Sequence, residues 1–189
     1  MSSFLIVGLG NPGDKYKNTK HNFGFLLTNQ IIEDYNLNLK SKKSSYELFS
    51  GNISGSEVLI LNPLKYMNLS GYPVMEIKNF YKIDLSNIIV LHDDIDIKFG
   101  RIKIKLGGGN AGHNGLKDID KFIGKDYYRL RLGIGRPEHE DYDVADYVLS
   151  KFSNNELAEI KDINKKISNL LPFLFEEDKN ELINKFYLK

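Results

Sequence analysis

The 189-residue chain contains no cysteine, which excludes disulfides, thiolate metal sites and a thiol nucleophile. Histidine is scarce, with four in all, so the position of each one calls for a reason. No apolar run approaches the roughly 20 residues that a membrane helix needs, and no membrane partner is expected. The opening "MSSFLIVGLGNPG" lacks a positively charged start, and its apolar run is too short for a signal peptide. A cytoplasmic protein is the resulting expectation. There is no internal repeat, low-complexity tract or linker, and the length suits one domain spanning 1–189.

What is present is ordinary in bulk and uneven in detail. A hydrophobic fraction of 41% and a charged fraction of 27% fit a soluble globular domain. The net charge of +1 conceals a split: residues 98–136 hold ten Lys or Arg against three Asp, a net of +7, leaving −6 for the remainder. Such a split fits an anionic partner and equally fits a solvated face.

Short apolar runs ending in polar clusters predict buried strands at "FLIVGLG" (4–10) and "NIIVLHDD" (87–94). "YELFSGNISGSEVLILNP" predicts two strands around a turn. "GRIKIKLGGG" and "YYRLRLGIGR" alternate charged with apolar residues, as strands with one wet face do. That face would carry Lys103 and Lys105 on one strand and Arg129 and Arg131 on the next. Helical spacing of Phe25, Leu26, Asn29, Ile32 and Tyr35 predicts an amphipathic helix. "GYPVMEIKNFYKI" predicts another, with Pro73 near its first turn. A Ser153/Glu156 capping box opens a helix whose stripe is Leu157, Ile160, Ile163, Ile167 and Leu170 or Leu171. Pro172 interrupts it, and a short last helix is expected in "EEDKNELINKFYLK". The alternation predicts an α/β fold, one domain with a mixed, largely parallel twisted sheet flanked by helices.

"GLGNPG" (8–13) matches a dinucleotide fingerprint in form only. The polar "DKYKNTK" follows where a helix should open, and the candidate ribose-binding acids, Glu33 and Asp34, lie inside a helix pattern. A dinucleotide-dependent oxidoreductase is thereby disfavoured, and no cofactor is expected.

Polar clusters sit where strands and helices should end: Asn11, His21 with Asn22, Asn68, "HDDID" (92–96), and His113 with Asn114 in "GGGNAGHNG". Singly, each has a plain reading. The asparagines satisfy loop backbone, His21 is an exposed first-turn residue, and "HDDID" is an acidic turn or a magnesium site. Together, in chain order, "VGLGNPG..Y..T.HN.G", "N..KYMN.SG", "HDDID...G" and "KLGGG.AGHNGL" resemble bacterial-type peptidyl-tRNA hydrolases, from Phe4 to about Phe152.

The resemblance implies hydrolysis of the ester between a peptide and the 3′ ribose of tRNA, recycling tRNA from abandoned translation products. It implies His21 as the base that activates water and Asp93 as the carboxylate that orients it, the pairing familiar from hydrolytic triads. It places Asn11, Asn68 and Asn114 at the peptide and 3′ end, with Asn11 separating a blocked nitrogen from a free ammonium. Tyr16 and Tyr66 would line the substrate site, and Lys105 and Arg131 would meet the acceptor-stem phosphate. Met67, His113 and Lys103 are expected in supporting positions, no metal is implied, and the family expectation is a monomer. Lys20 stands where the family often has arginine. A non-catalytic RNA-binding relative is the rival reading, against which the presence of both His21 and Asp93 counts.

Overall fold

The computed structural model describes residues 3–137 and 142–175. In chain order its main elements are β1 (Ser3–Gly8), α1 (Phe23–Asp34), β2 (Asn38–Lys42), β3 (Tyr46–Ile53), β4 (Ser56–Pro63) and α2 (Gly71–Phe80). There follow β5 (Ile88–Asp94), β6 (Ile102–Leu106), α3 (Asn114–Ile123), β7 (Tyr128–Gly133), α4 (Val144–Leu149) and α5 (Asn154–Leu170). The seven strands form one sheet in the order β2-β3-β4-β1-β5-β7-β6. Its centre, β4-β1-β5-β7, is parallel; β2, β3 and β6 extend it antiparallel at the flanks.

The continuous apolar runs of the central strands follow from helices covering both faces. Along β1, Leu5 and Val7 enter the core beneath α2 and α3, while Ile6 enters the opposite core beneath α1 and α5. On β5, Ile88 and Val90 face the first core, and Ile89 and Leu91 the second. Between β3 and β4, Ser54 and Gly55 both take positive φ (49° and 88°), as a two-residue I′ hairpin turn requires.

The contact face of α1 differs from the expected one. Phe23, Gly24, Leu27, Thr28 and Ile31 are buried, Leu26, Ile32 and Tyr35 flank them, and Asn29 is exposed. Gly24 sets this orientation. A Cβ there would lie 2.4–2.6 Å from Leu91 O and from the backbone N and O of Leu9. The bare Cα therefore lets the helix start press directly onto the ends of β1 and β5. In α5 the capping box forms as expected, and Ile160 and Ile167 are buried beneath it. The last helix expected over 176–189 lies outside the described residues.

Candidate active site

In an open parallel sheet the loops beyond the carboxyl ends of the strands converge on one rim. Here β1 ends before Asn11, β4 before Met67 and Asn68, and β5 in His92, Asp93 and Asp94. The α1 start, docked through Gly24, carries His21 in the turn Lys20–Asn22 onto that rim. His21 Nδ1 lies 2.9 and 3.0 Å from the two carboxylate oxygens of Asp93. The pair comes from residues 72 positions apart, and both are buried.

His113 completes the cluster. Its Nδ1 accepts the backbone N–H groups of Gly115 (3.2 Å) and Leu116 (3.4 Å), capping α3. The ring proton of neutral His113 must then sit on Nε2, which lies 3.0 Å from Asp93 Oδ1. Asp93 thus accepts from two imidazoles, and the pairing puts the His21 proton on Nδ1. His21 Nε2 is left unprotonated, with no hydrogen bond among the described residues. The ligand atoms of His21, Asp93 and His113 lie within 4.8 Å of one another, a donor set that could suit a metal. The cap of α3 argues otherwise, since a protonated His113 Nε2 has no lone pair for an ion.

Electrostatics follow from the burial. Burial disfavours the His21 imidazolium, but the Asp93 charge and hydrogen bond outweigh it and raise the pKa above the ordinary histidine value. Burial alone would raise the pKa of Asp93, yet His21 and His113 hold it well below the usual carboxylate range. Burial, with repulsion from His113, lowers His92 to about 3. Its Nδ1 donates to the Asp93 carbonyl (2.8 Å), and its ring meets His113 edge-on at 5.2 Å.

The asparagines divide by role. Asn22 clamps the backbone of Asn11, accepting from its N–H (2.8 Å) and donating to its carbonyl (2.9 Å). Asn11 Oδ1 in turn accepts Met67 N–H (2.8 Å), which joins the β1 and β4 loops. The side-chain group of Asn11 left without a partner among the described residues is its NH₂. Asn68 and Asn114 are exposed, on a 3₁₀ turn (Met67–Leu69) and on the first residue of α3, against which that turn packs. Tyr16 and Tyr66 meet edge to face at 6.4 Å. Beside the histidines opens a cleft of about 250 Å³, lined by His21, Asp93, the glycine-rich loop, Lys105, Arg131 and the inner side of α4.

The sequence model for peptidyl-tRNA hydrolase matches residues 5–189. The chain belongs to the peptidyl-tRNA hydrolase family. It is 49% identical over 180 residues to the peptidyl-tRNA hydrolase of Wolbachia pipientis wMel, covering 95% of this chain and 97% of that one. The Aliarcobacter butzleri peptidyl-tRNA hydrolase is 48% identical over 194 residues, covering 98% and 100%. A crystal structure of the Acinetobacter baumannii peptidyl-tRNA hydrolase superposes with a TM-score of 0.91 at 38% identity, covering 98% of this chain and 94% of that one. As a family member, the chain is a hydrolase.

In this peptidyl-tRNA hydrolase the basic strands pair as their alternation suggests, Lys103 opposite Arg131 and Lys105 opposite Arg129. The expected shared wet face is wrong for Arg129, which is 2% exposed. Its guanidinium donates to Gly109 O (2.7 Å) and Asp120 Oδ1 (2.9 Å), tying the glycine-rich loop to α3. Strand periodicity could not reveal this, because the partner acid is on a helix that the periodicity did not predict. Arg131 is half-committed as well, with Nε donating to Asp94 Oδ2 at 2.8 Å. Sequence reasoning also passed over Gly24 and the Asn22 clamp. The "HNFG" spacing was the available signal: a polar clamp and a bare Cα either side of Phe23.

Proposed function

We propose that this hydrolase cleaves the ester joining a peptide to the 3′ ribose of tRNA, with His21 as general base, water as nucleophile and no metal. The observation that carries this reading is the His21–Asp93 pair, 2.9 Å apart, which leaves His21 Nε2 unprotonated in a residue lining the cleft.

Nε2 takes a proton from water as the oxygen attacks the ester carbonyl. Asp93 stabilises the imidazolium that forms, consistent with the raised pKa of His21. The tetrahedral oxyanion meets amide N–H donors from the exposed side chains of Asn68 and Asn114. Collapse expels the ribose 3′ oxygen, which recovers the proton from the imidazolium. The products are free peptide and reusable tRNA.

Asn11 supplies the selectivity. With Oδ1 engaged by Met67, its NH₂ offers hydrogen-bond donors. A blocked substrate presents an acyl carbonyl to accept them, whereas a free aminoacyl ester presents an ammonium, which cannot. Lys105 and Lys103, with Arg131 opposite Lys103, supply phosphate contacts that position the acceptor stem without reading bases. A monomeric cytoplasmic enzyme fits this reading.

The test compares cleavage of N-acetyl-aminoacyl-tRNA and unblocked aminoacyl-tRNA in EDTA, by wild type and His21→Ala. Cleavage of the blocked substrate alone, lost in the variant, is expected. Wild-type turnover by His21→Ala would overturn the assignment of the base. Salt-dependent tRNA binding without cleavage would favour a non-catalytic RNA-binding protein.

A further inference from the structure

Lys20, the residue before His21, is 6% exposed, and a lysine is seldom so buried unless its ammonium is matched. Its Nζ donates to Lys151 O at 3.3 Å and lies 4.0 Å from the Glu156 carboxylate. The ring centroids of Tyr147 and Phe152 are each 5.1 Å away, within cation–π range. The backbone reinforces the link. Lys20 N–H donates to Ser150 O (3.0 Å), Phe152 N–H donates to Asn18 O (2.9 Å), and Thr19 pairs with Lys151 as an antiparallel bridge.

These contacts clip the turn carrying His21 to the segment that ends α4. None of the residues of α4 is buried, yet Val144, Ala145 and Val148 form one wall of the cleft. Tyr147 anchors that wall: its hydroxyl donates to Ile134 O (2.9 Å), and its ring faces the Lys20 ammonium. Through these contacts, the α4 wall of the cleft and the turn that bears His21 become one mechanical unit.

We propose that Lys20 is a positioning residue, which locks the His21-bearing turn to the α4 wall of the cleft; the inference rests on His21 being the base. Methionine at this position fills the aromatic nest but cannot hold the Lys151 carbonyl or Glu156, whereas arginine can hold both.

The test measures kcat and KM on N-acetyl-aminoacyl-tRNA for Lys20→Met, Lys20→Arg, Tyr147→Leu and the Lys20→Met/Tyr147→Leu double variant. Thermal melts and the NMR resonance of the His21 Nδ1–H are recorded alongside. Lys20→Met should lose at least about tenfold in kcat with KM nearly unchanged, as small misplacements of a reacting group do. Its Nδ1–H resonance should move, Lys20→Arg should restore both, and the losses in the double variant should be less than additive because both changes cut the Lys20–Tyr147 contact. Wild-type kcat with an unmoved resonance in Lys20→Met, or additive losses in the double variant, would overturn the proposal. If Lys20→Met does not fold, wild-type turnover by Tyr147→Leu overturns it instead. The resonance reads the link without turnover, so retained activity in His21→Ala would sink the base assignment separately.

Discussion

His113 and His21 meet on one oxygen: Asp93 Oδ1 lies 3.0 Å from His113 Nε2 and 2.9 Å from His21 Nδ1, with the two rings 4.7 Å apart. A carboxylate buried between two imidazole donors is held both ionised and still. His113 is itself immobilised by capping α3. The helix start, the carboxylate and the proposed base therefore form one rigid chain of hydrogen bonds.

Asp93→Asn tests that chain. The amide keeps the shape but removes the charge that raises the His21 pKa. Turnover should fall by about 10²–10⁴, the range seen when an orienting acid is neutralised. With neutral His21 as the proposed base, the acidic limb of kcat/KM should lie above the ordinary histidine value in the wild type. It should move to lower pH in the variant. A pH–rate profile checks this, and a limb that stays in place would contradict Asp93 as the source of the shift.

His92 makes a prediction about stability. Its folded pKa is about 3, below the unfolded value of about 6.5. The unfolded chain thus binds the proton first as pH falls, and stability is lost progressively from about pH 6.5 downward. The slope from this one group approaches about 1.4 kcal/mol per pH unit. His21, with its pKa raised, works in the opposite sense, and Asp93, with its pKa depressed, contributes stability that is lost mainly below the unfolded aspartate value of about 3.9. Denaturant melts between about pH 7 and 4.5 should show a shallower acid loss in His92→Gln than in wild type. An identical slope would show that His92 protonates equally in both states.

Much of this was legible in the sequence where the signal was local. The apolar runs of β1 and β5, the β3–β4 hairpin and the Ser153/Glu156 capping box all follow from neighbouring residues. The His21–Asp93 pair, separated by 72 residues, was reachable only through resemblance to a family. The orientation of α1 was misread because its closest contact is made by Gly24, a residue without a side chain to count. Arg129 was misread because alternation shows which face a residue shares, not whether a helix covers it.

The burial of Arg129 has a measurable consequence. It pairs with Asp120, which also accepts from the Tyr127 hydroxyl (2.8 Å), and both side chains of the pair are buried. Arg129→Met should cost about 3–5 kcal/mol, since removing one partner strands the other charge. It should also free Gly109 O and loosen the glycine-rich loop. Chemical denaturation gives the first effect, and amide exchange at residues 107–112 gives the second. A loss under about 1 kcal/mol, the range of exposed pairs, would mean that water reaches Asp120.

Lys105 and Arg131 should differ in their response to salt, although both line the cleft. Lys105 is exposed and has no acidic partner among the described residues, whereas Arg131 already donates to Asp94. A phosphate that binds Lys105 releases counterions freely, while one that binds Arg131 must compete with Asp94. Lys105→Ala should therefore raise KM several-fold at low salt. It should also flatten the plot of log kcat/KM against log salt by about 0.9 for one lost duplex phosphate contact. Arg131→Ala should flatten it less, and Arg131→Ala/Asp94→Asn no more than Arg131→Ala alone. Equal slopes in wild type and Lys105→Ala would return this strand to the role of an ordinary charged edge.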